Sequence, residues 1–296
     1  QTTSFVFDSA EHAAALFNLQ TFGNVYSRIS NPTVAVFEER LAAIENGRSA
    51  LACSTGQAAE ATAILTLCKA GDHIVAGNQL YGRTLRLFSQ ELPRLGFAAD
   101  LVDATDVAAV EKAMRPNTRL LLVEVVSNPL LRIPDIAALS TIARTRGVLF
   151  VVDNTFPTPL AFRPLSAGAD IVFHSITKML AGHSDVTLGA VCGARDHLMS
   201  IRDAIVTWGL NGSPFDCWLA ERGMNTLELR VARGNANAAA LADFLARQPE
   251  ICRAFYPGRA DHPDHAVARR LFGDQFGNMV TFELDGGRDT VNRFMQ

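Results

Sequence analysis

Three uninterrupted apolar runs of strand length constrain the fold of this 296-residue chain more than any other feature. They are Thr118 to Val123, Val148 to Val152 and Asp170 to Phe173, and helical patterns occur beside them at Val107 to Met114 and Ile136 to Arg146. Strands buried on both faces read as continuous apolar runs, and in parallel sheets they alternate with helices. The pattern therefore predicts an α/β fold with a mostly parallel sheet sandwiched by helices.

The same rhythm begins earlier in the chain, after an irregular opening of about 30 residues. Gln57 to Lys69 and Thr84 to Arg94 have helical patterns, and His73 to Ala76 reads as a short strand between them. We therefore expect an N-terminal arm over 1–30 and a large domain over 31–229.

The pattern changes near Arg230, where a smaller C-terminal domain is expected to start. A long helix, Ala232 to Arg247, ends before Pro249, and a strand follows at Asn278 to Leu284. Because the chain stops soon afterwards, we expect the domain over 230–296 to be incomplete.

Composition excludes several classes of function. Hydrophobic residues make up 48% of the chain, the formal net charge is -3, and the basic residues are scattered, so neither a nucleic-acid nor a membrane surface is indicated. No apolar run approaches the roughly 20 residues that span a bilayer, and the N-terminus does not read as a signal peptide. We expect a cytoplasmic protein. The 5 cysteines form no Cys-x-x-Cys pair, so reduced thiols and no metal site are expected.

Lys178 directly follows a buried strand, in the stretch "HSITKML" that runs from His174 to Leu180. A lysine is costly to bury. At the carboxyl end of a parallel strand it is more often a partner for an anionic group, because ligands of open α/β sheets bind there. Ser175 and Thr177 flank it with hydroxyl donors, which alone could be turn formers.

Two other segments offer groups that suit the same ligand. Asp153 ends an apolar strand in "VVDNT", where it is either a turn or capping residue or a carboxylate that faces the crevice beyond the strands. Gly56 and Gln57 begin a helix in "STGQ". The first N–H groups of a helix can bind an anion, although small residues also start helices without that role.

Together these groups match the needs of pyridoxal phosphate. Its aldehyde forms a Schiff base with a lysine, its ring nitrogen needs a carboxylate, and its phosphate needs a helix N-terminus with hydroxyls. Lys178 and Asp153 supply the first two, and the group of Gly56, Ser175 and Thr177 supplies the third. The sequence therefore predicts pyridoxal 5'-phosphate as the cofactor.

The ordered motifs of the chain resemble those of the Cys/Met-metabolism family of pyridoxal-phosphate enzymes. They are "QTTSF", "YSRISNPT", "STGQAAE", "LYGRT", "VVDNTF", "HSITKMLAGHSD" and "NMVTFEL", and they cover nearly the whole chain. The family includes cystathionine γ-synthase, cystathionine γ-lyase, methionine γ-lyase and O-acetylhomoserine sulfhydrylase. The resemblance implies the fold-type I architecture, with a smaller C-terminal domain.

The resemblance assigns roles around the cofactor ring by position. Lys178 is implied as the Schiff-base lysine and proton shuttle, and Asp153 as the partner of the ring nitrogen. Tyr81 would stack on the ring and assist proton transfer, and Asn128 would lie near the ring hydroxyl. These four residues are the expected catalytic centre and ring contacts.

The resemblance also assigns the phosphate contacts. Gly56 and Gln57 would donate backbone N–H groups, with help from the hydroxyls of Ser175 and Thr177. The family pattern places Tyr26 and Arg28 at the phosphate of a neighbouring subunit, so a homo-oligomer, a tetramer built from active pairs, is implied. Read without the resemblance, Tyr26 and Arg28 are a surface pair in a polar turn.

The implied reaction is γ-elimination or γ-replacement on a sulfur amino acid or an O-acylhomoserine. "FNLQTFGNVYSRISNPT" is most similar to the sulfhydrylases, whereas "HSITKMLAGHSD" is more similar to the lyases, so the branch stays open. Arg86 matches an arginine of the cystathionine enzymes that can hold a distal carboxylate, and it is otherwise a solvated helix residue. One alternative is a non-catalytic relative, which the intact Lys178, Asp153 and Tyr81 disfavour. Another is an aminotransferase-like enzyme, which the motifs "YSRISNPT" and "LYGRT" disfavour.

The resemblance implies a longer C-terminal domain, which carries an arginine for the substrate α-carboxylate. This sequence ends at Gln296, before that arginine. We expect the continuation after Gln296, and the residues before Gln1, to be missing from the sequence rather than from the protein.

Overall fold

The structure, a computed structural model, describes residues 2–296 and separates them into two units. The first unit contains residues 2–69 and 170–226, and the second contains residues 70–169 and 227–296.

The strands of the described residues have the following bounds in chain order: β1 (Ser49–Cys53), β2 (His73–Gly77), β3 (Ala98–Val102), β4 (Thr118–Glu124), β5 (Leu149–Asp153), β6 (Ile171–Ser175), β7 (Gly189–Gly193), β8 (Ile251–Phe255) and β9 (Thr281–Leu284). The helices are α1 (Ala10–Phe17), α2 (Pro32–Glu45), α3 (Gly56–Leu67), α4 (Gly82–Arg86), α5 (Leu92–Arg94), α6 (Val107–Ala113), α7 (Ile136–Arg146), α8 (Thr158–Ala161), α9 (Arg195–Trp208), α10 (Pro214–Met224), α11 (Leu227–Leu245), α12 (His265–Phe272) and α13 (Arg288–Phe294). A π-helical turn, Leu87–Glu91, joins α4 to α5, and a 3-10 turn spans Pro164–Ala167.

In the first unit, β7 lies between β1 and β6 and pairs antiparallel with both. Gly189 of β7 is the register partner of Cys53 on one side and of Ser175 on the other. Helices α3 and α9 pack against β7, and α10 packs against α2. The ends of three strands and the start of α3 therefore meet at Gly189.

In the second unit, the strand order is β5-β4-β2-β3, and all neighbouring strands are parallel. The side chains of β4 from Leu120 to Glu124 are all buried, as expected for a central strand with covered faces. A separate antiparallel pair is formed by β8 and β9. Its neighbour α11 buries Ala238 and Ala242 against Tyr256.

The structure confirms the α/β class and most predicted elements, but it corrects four of them. The opening is not wholly irregular, because Ser9 caps α1 through its side chain. The helix predicted over Thr84 to Arg94 starts at Gly82 and is interrupted by a π-helical turn. The long helix begins five residues earlier than predicted, at Leu227, and the last strand begins at Thr281. The predicted division into arm, large domain and C-terminal domain stays a prediction.

Candidate active site

The start of α3 lies directly against the ends of β6 and β7. A Cβ atom added to Gly56 would be 2.8 Å from the Cβ of Ser175, and one added to Gly189 would be 2.0 Å from the carbonyl oxygen of Thr55. Only glycine at both positions permits this approach. Thr55 caps the helix because its Oγ1 accepts a hydrogen bond of 2.9 Å from the N–H of Ala58. The first unit thus brings the start of α3 against Ser175, and the predicted contacts of these residues with a phosphate stay a prediction.

The loop after β6 carries Thr177 and Lys178. The N–H of Lys178 donates to the carbonyl of Ser175 over 3.2 Å. The hydroxyl of Thr177 donates to the carbonyl of Leu188 at 3.2 Å and accepts from the N–H of Leu188 at 3.1 Å. The hydroxyl therefore fastens the loop to the residue before β7, and its predicted contact with a phosphate stays a prediction.

The amine of Lys178 is exposed at the edge of an open cleft of about 650 Å³, which Thr177, Asp185 and Thr187 also line. Among the described residues, no side chain forms a hydrogen bond or ion pair with this amine. A lysine without an ionic partner, at the end of a strand, is available for covalent chemistry with a carbonyl group.

A buried pair of side chains anchors the strand that leads to Lys178. Nε2 of His174, on β6, lies 2.5 Å from Oε1 of Glu45, at the end of α2, and both side chains are fully buried. His174 is therefore a structural residue rather than a ligand contact. Glu45 was not predicted, because its partner lies 129 positions further along the chain.

Asp153 and Glu124 occupy adjacent strand ends in the second unit. Asp153 is the last residue of β5 and the register partner of Glu124, the last residue of β4. Oδ1 of Asp153 accepts a hydrogen bond of 2.8 Å from the N–H of Thr155, as in an Asx turn. Its side chain is half-buried. Asp153 thus forms a turn at the end of β5, and its contact with the cofactor ring stays a prediction.

Tyr81 begins α4 and is held through its main chain by Glu124. The Tyr81 N–H donates to Oε1 of Glu124 over 2.5 Å, whereas the Tyr81 side chain is half-exposed. Sequence reasoning missed Glu124. The signal was present, because Glu124 follows the apolar run that ends at Val123 in the same way that Asp153 follows its own.

Asn128 lies in a loop that an ion pair holds in place. Asn128 itself is exposed and precedes a cis peptide bond to Pro129. Nε of Arg132 donates to Oδ2 of Asp264 over 2.6 Å, and the N–H of Ile133 donates to the same oxygen over 3.0 Å. The hydrogen bond to Asp264 also raises the pKa of Arg132 above its ordinary value. Asp264 thus fixes the end of the loop that carries Asn128.

Tyr26 and Arg28 are exposed and lie next to each other. The guanidinium carbon of Arg28 is 5.6 Å from the centre of the Tyr26 ring, and Nη1 of Arg28 donates to the carbonyl of Val206 in the same unit. Arg28 also lines a cavity of about 320 Å³ beside Glu38, whose pKa burial raises to about 7. Their contact with a neighbouring subunit stays a prediction.

Arg86 is exposed at the end of α4. Its Nε lies 3.8 Å from Oε1 of Glu91, which also pairs with Arg94 at 2.9 Å. A weak surface pair of this length leaves the guanidinium available. Its contact with a substrate carboxylate stays a prediction.

The residues present fit pyridoxal phosphate. In the first unit, the start of α3, a type of site that binds anions, lies against Ser175, and the next loop carries a lysine whose amine has no partner among the described residues. In the second unit, a carboxylate and an aromatic ring lie near the ends of parallel strands. This donor set matches an anion, an aldehyde and a cationic ring.

Comparisons with known proteins agree with this reading. The sequence model of the family "Cys/Met metabolism PLP-dependent enzyme" matches residues 1–296. An O-succinylhomoserine sulfhydrylase of Pseudomonas aeruginosa is 43% identical over 294 residues, which cover 99% of this chain and 73% of that protein. An L-methionine γ-lyase of Pseudomonas putida is 42% identical over 300 residues, with 100% of this chain and 74% of that protein covered.

A solved structure of cystathionine γ-synthase from Xanthomonas oryzae pv. oryzae, in complex with aminoacrylate and cysteine, superposes with a TM-score of 0.93. It is 36% identical and covers 99% of this chain and 74% of its own. Fold and site therefore define an enzyme that depends on pyridoxal phosphate and has the fold-type I architecture. More narrowly, the chain belongs to the Cys/Met-metabolism family of these enzymes. Within residues 2–296, every helix is too short or too polar to span a bilayer.

Proposed function

We propose that the protein catalyses γ-elimination or γ-replacement on sulfur amino acids or O-acylhomoserines, with pyridoxal phosphate bound through Lys178. One observation carries the proposal. The start of α3, at Gly56, packs against Ser175, and Lys178, whose amine has no partner among the described residues, lies three residues after that serine. An aldehyde and a phosphate on one ligand need these two features together. The family membership supports the same cofactor.

Each residue has a separate task in this proposal. The N–H groups of Gly56 and Gln57 and the hydroxyl of Ser175 bind the phosphate. Asp153 keeps a proton on the ring nitrogen, so the bound cofactor can accept negative charge from the substrate. The amine of Lys178 would remove the proton at the substrate's Cα and return it later.

Tyr81, Asn128 and Thr177 complete the proposed site. Tyr81 stacks on the cofactor ring and assists proton transfer, and Asn128 contacts the ring hydroxyl. Thr177 holds the loop of Lys178 through Leu188, and its oxygen contributes to the phosphate environment.

The branch of the family depends on the substrate's distal group. We propose the cystathionine type, γ-synthase or γ-lyase, in which Arg86 holds a distal carboxylate. Methionine γ-lyase and O-acetylhomoserine sulfhydrylase activity are the alternatives, and relatives with these names are similarly close in identity. Arg86 separates them, because O-succinylhomoserine and cystathionine have a distal carboxylate, whereas methionine and O-acetylhomoserine do not.

The test is a product assay of the purified protein with cystathionine, methionine, O-succinylhomoserine and O-acetylhomoserine. Each substrate is supplied with and without sulfide or cysteine, and 2-oxo acid, ammonia and new thioether are measured. Lys178→Ala is the control and should form no product, because no other described amine follows β6. Turnover by Lys178→Ala at the unmodified rate would sink the proposal, as would a purified protein that binds the cofactor yet acts on none of the four.

We also propose that the active site is shared between copies of the chain in a homotetramer. The arm exposes large apolar side chains, with Val6 at 94%, Leu19 at 91% and Phe22 at 103% of full exposure. Large apolar side chains exposed to this extent favour contact with another protein surface. Arg28 has the fork of donors that suits a phosphate, so its loss should weaken cofactor retention.

Mixed oligomers test the shared site. Arg28→Ala and Lys178→Ala subunits, each inactive alone, should recover activity when combined, because one of the two sites in a hybrid pair then has both residues. Lys178→Ala mixed with itself is the control. Confirmed hybrids without activity would refute the shared site. The cytoplasmic location and the domain limits 1–30, 31–229 and 230–296 remain predictions, which cell fractionation and limited proteolysis test.

A further inference from the structure

Glu124 is a buried carboxylate for which the reaction has no assigned use. It is only 7% exposed and ends β4, where its register partner on β5 is Asp153. A carboxylate is rarely buried unless its charge is compensated by hydrogen bonds or by a cation. What compensates it therefore indicates why it is there.

Glu124 binds the main chain at the start of α4, where its Oε1 accepts a hydrogen bond from the N–H of Tyr81. Tyr81 stands at the N-terminal end of α4, with extended ψ of 137° and no side-chain cap. Its carbonyl accepts from the N–H of Leu85 over 2.9 Å. Both hydrogen-bonding groups of the Tyr81 backbone are therefore occupied, one by α4 and the other by Glu124.

The Tyr81 side chain cannot position itself. It is 51% exposed, so packing constrains it weakly, whereas the preceding Leu80 is buried at 3% and is held by packing. The backbone therefore sets the point from which the ring extends. The bond to Glu124 joins this backbone directly to the parallel sheet.

We propose that Glu124 is a positioning residue for Tyr81, and that its carboxylate fixes where the aromatic ring lies over the cofactor. The assignment rests on the function proposed above, because the task of Tyr81 does. The bond requires an acceptor at this distance, not a charge. Gln, with an amide oxygen at the same reach, therefore keeps the function, and Leu, of similar volume, loses it.

Hydrogen exchange of the holoenzyme tests the bond directly. In Glu124→Leu, the Tyr81 amide should exchange about tenfold faster, because its hydrogen-bond acceptor is lost. In Glu124→Gln it should stay within about twofold of the unmodified protein. Asp103→Asn is the matched control, since Asp103 lines the same cavity of about 20 Å³ but bonds to Thr105.

A second readout reports the ring rather than the amide. The visible circular dichroism of the bound cofactor should change in Glu124→Leu and in Tyr81→Ala alike, and should be retained in Glu124→Gln and Asp103→Asn. The kcat should likewise fall in Glu124→Leu and Tyr81→Ala and be retained in Glu124→Gln and Asp103→Asn. Equal thermal midpoints of Glu124→Leu and Asp103→Asn would separate positioning from loss of fold.

Three outcomes overturn the proposal: unchanged Tyr81 exchange in Glu124→Leu, equal damage in Gln and Leu, or changed exchange in the control. If Leu prevents folding, Glu124→Asp replaces it, because the shorter side chain keeps the charge and withdraws the acceptor. Normal Tyr81 exchange in that variant also overturns the proposal. A protein that binds no cofactor refutes the proposed function instead, and exchange at Tyr81 remains measurable in it.

Discussion

Replacement of Gly189 by alanine should damage the phosphate site without touching a catalytic group. The added Cβ would lie 2.0 Å from the carbonyl oxygen and 2.3 Å from the carbonyl carbon of Thr55, and 2.6 Å from the nitrogen of Gly56. Because packed atoms are about 3.5–4.0 Å apart, the peptide that begins α3 must retreat by roughly 1–2 Å. The obstacle is backbone, so no rotamer change relieves it.

The expected magnitudes follow from that displacement. Overpacking of this kind costs about 1–3 kcal/mol. For a chain of this size the thermal midpoint should fall by about 2–4 °C per kcal/mol. Withdrawal of one N–H donor from a charged phosphate should weaken cofactor binding about tenfold to a hundredfold.

The assay is cofactor titration of the apoprotein followed by visible absorbance, with a thermal melt of each variant. Gly287→Ala is the control, because its Cβ meets nothing within 4 Å. The control should bind and melt as the unmodified protein does. If Gly189→Ala bound the cofactor with unchanged affinity and melted at the unmodified temperature, the close approach of α3 to β7 would not define the phosphate site.

Three further substitutions test other parts of the structure. Asp264→Ala should lower the free energy of unfolding, measured in urea, by about 3–5 kcal/mol, because the partly buried guanidinium of Arg132 loses its carboxylate partner. A loss below about 1 kcal/mol would mean that the pair is solvated. Burial raises the pKa of Glu38, which lies beside Arg202 and Glu39, from 4.5 to about 7. Glu38 therefore binds its proton more tightly in the folded state, and it contributes stability at low pH that is lost as pH rises from 4.5 to 7. Relative to Glu38→Gln, the unmodified protein should therefore lose up to about 3 kcal/mol of its free energy of unfolding across this pH range. If the free energies of unfolding of the two proteins, measured in urea, changed with pH in parallel, the shift would be contradicted. Arg86→Ala should lower kcat/KM about tenfold to a hundredfold for cystathionine or O-succinylhomoserine and spare methionine and O-acetylhomoserine; an equal effect on all four would make Arg86 structural.

The strands that could be predicted are those rich in large apolar residues. The runs that became β4, β5 and β6 are continuous stretches of Leu, Val, Ile and Phe, for which burial in a sheet is the simplest reading. By contrast, β1 ("SALAC") and β7 ("GAVCG") each have only one large apolar residue or valine and otherwise consist of Ala, Gly, Ser and Cys, among which Ala and Gly are depleted in strands. Their small side chains are needed because α3 packs closely on them, which is a tertiary requirement that no local pattern shows.

The same distinction applies to the site. Lys178 and Asp153 could be singled out because each lies at or shortly after the end of an apolar strand. Glu124 ends such a strand too and could have been found by the same rule. The side-chain pairs that hold the surrounding loops and strands could not be predicted from the sequence. Arg132 and Asp264, for example, are 132 residues apart. Such pairs depend on the path of the chain rather than on local sequence.

The most direct test of the central claim is to map the lysine that carries the cofactor. The purified protein is loaded with pyridoxal phosphate, reduced with borohydride, digested and analysed by mass spectrometry, with Lys178→Ala treated in parallel. The account predicts a phosphopyridoxyl group on the peptide that contains Lys178, and no stoichiometric label in the variant. A label on Lys69 or Lys112, or equal labelling of the variant, would contradict the assignment of Lys178.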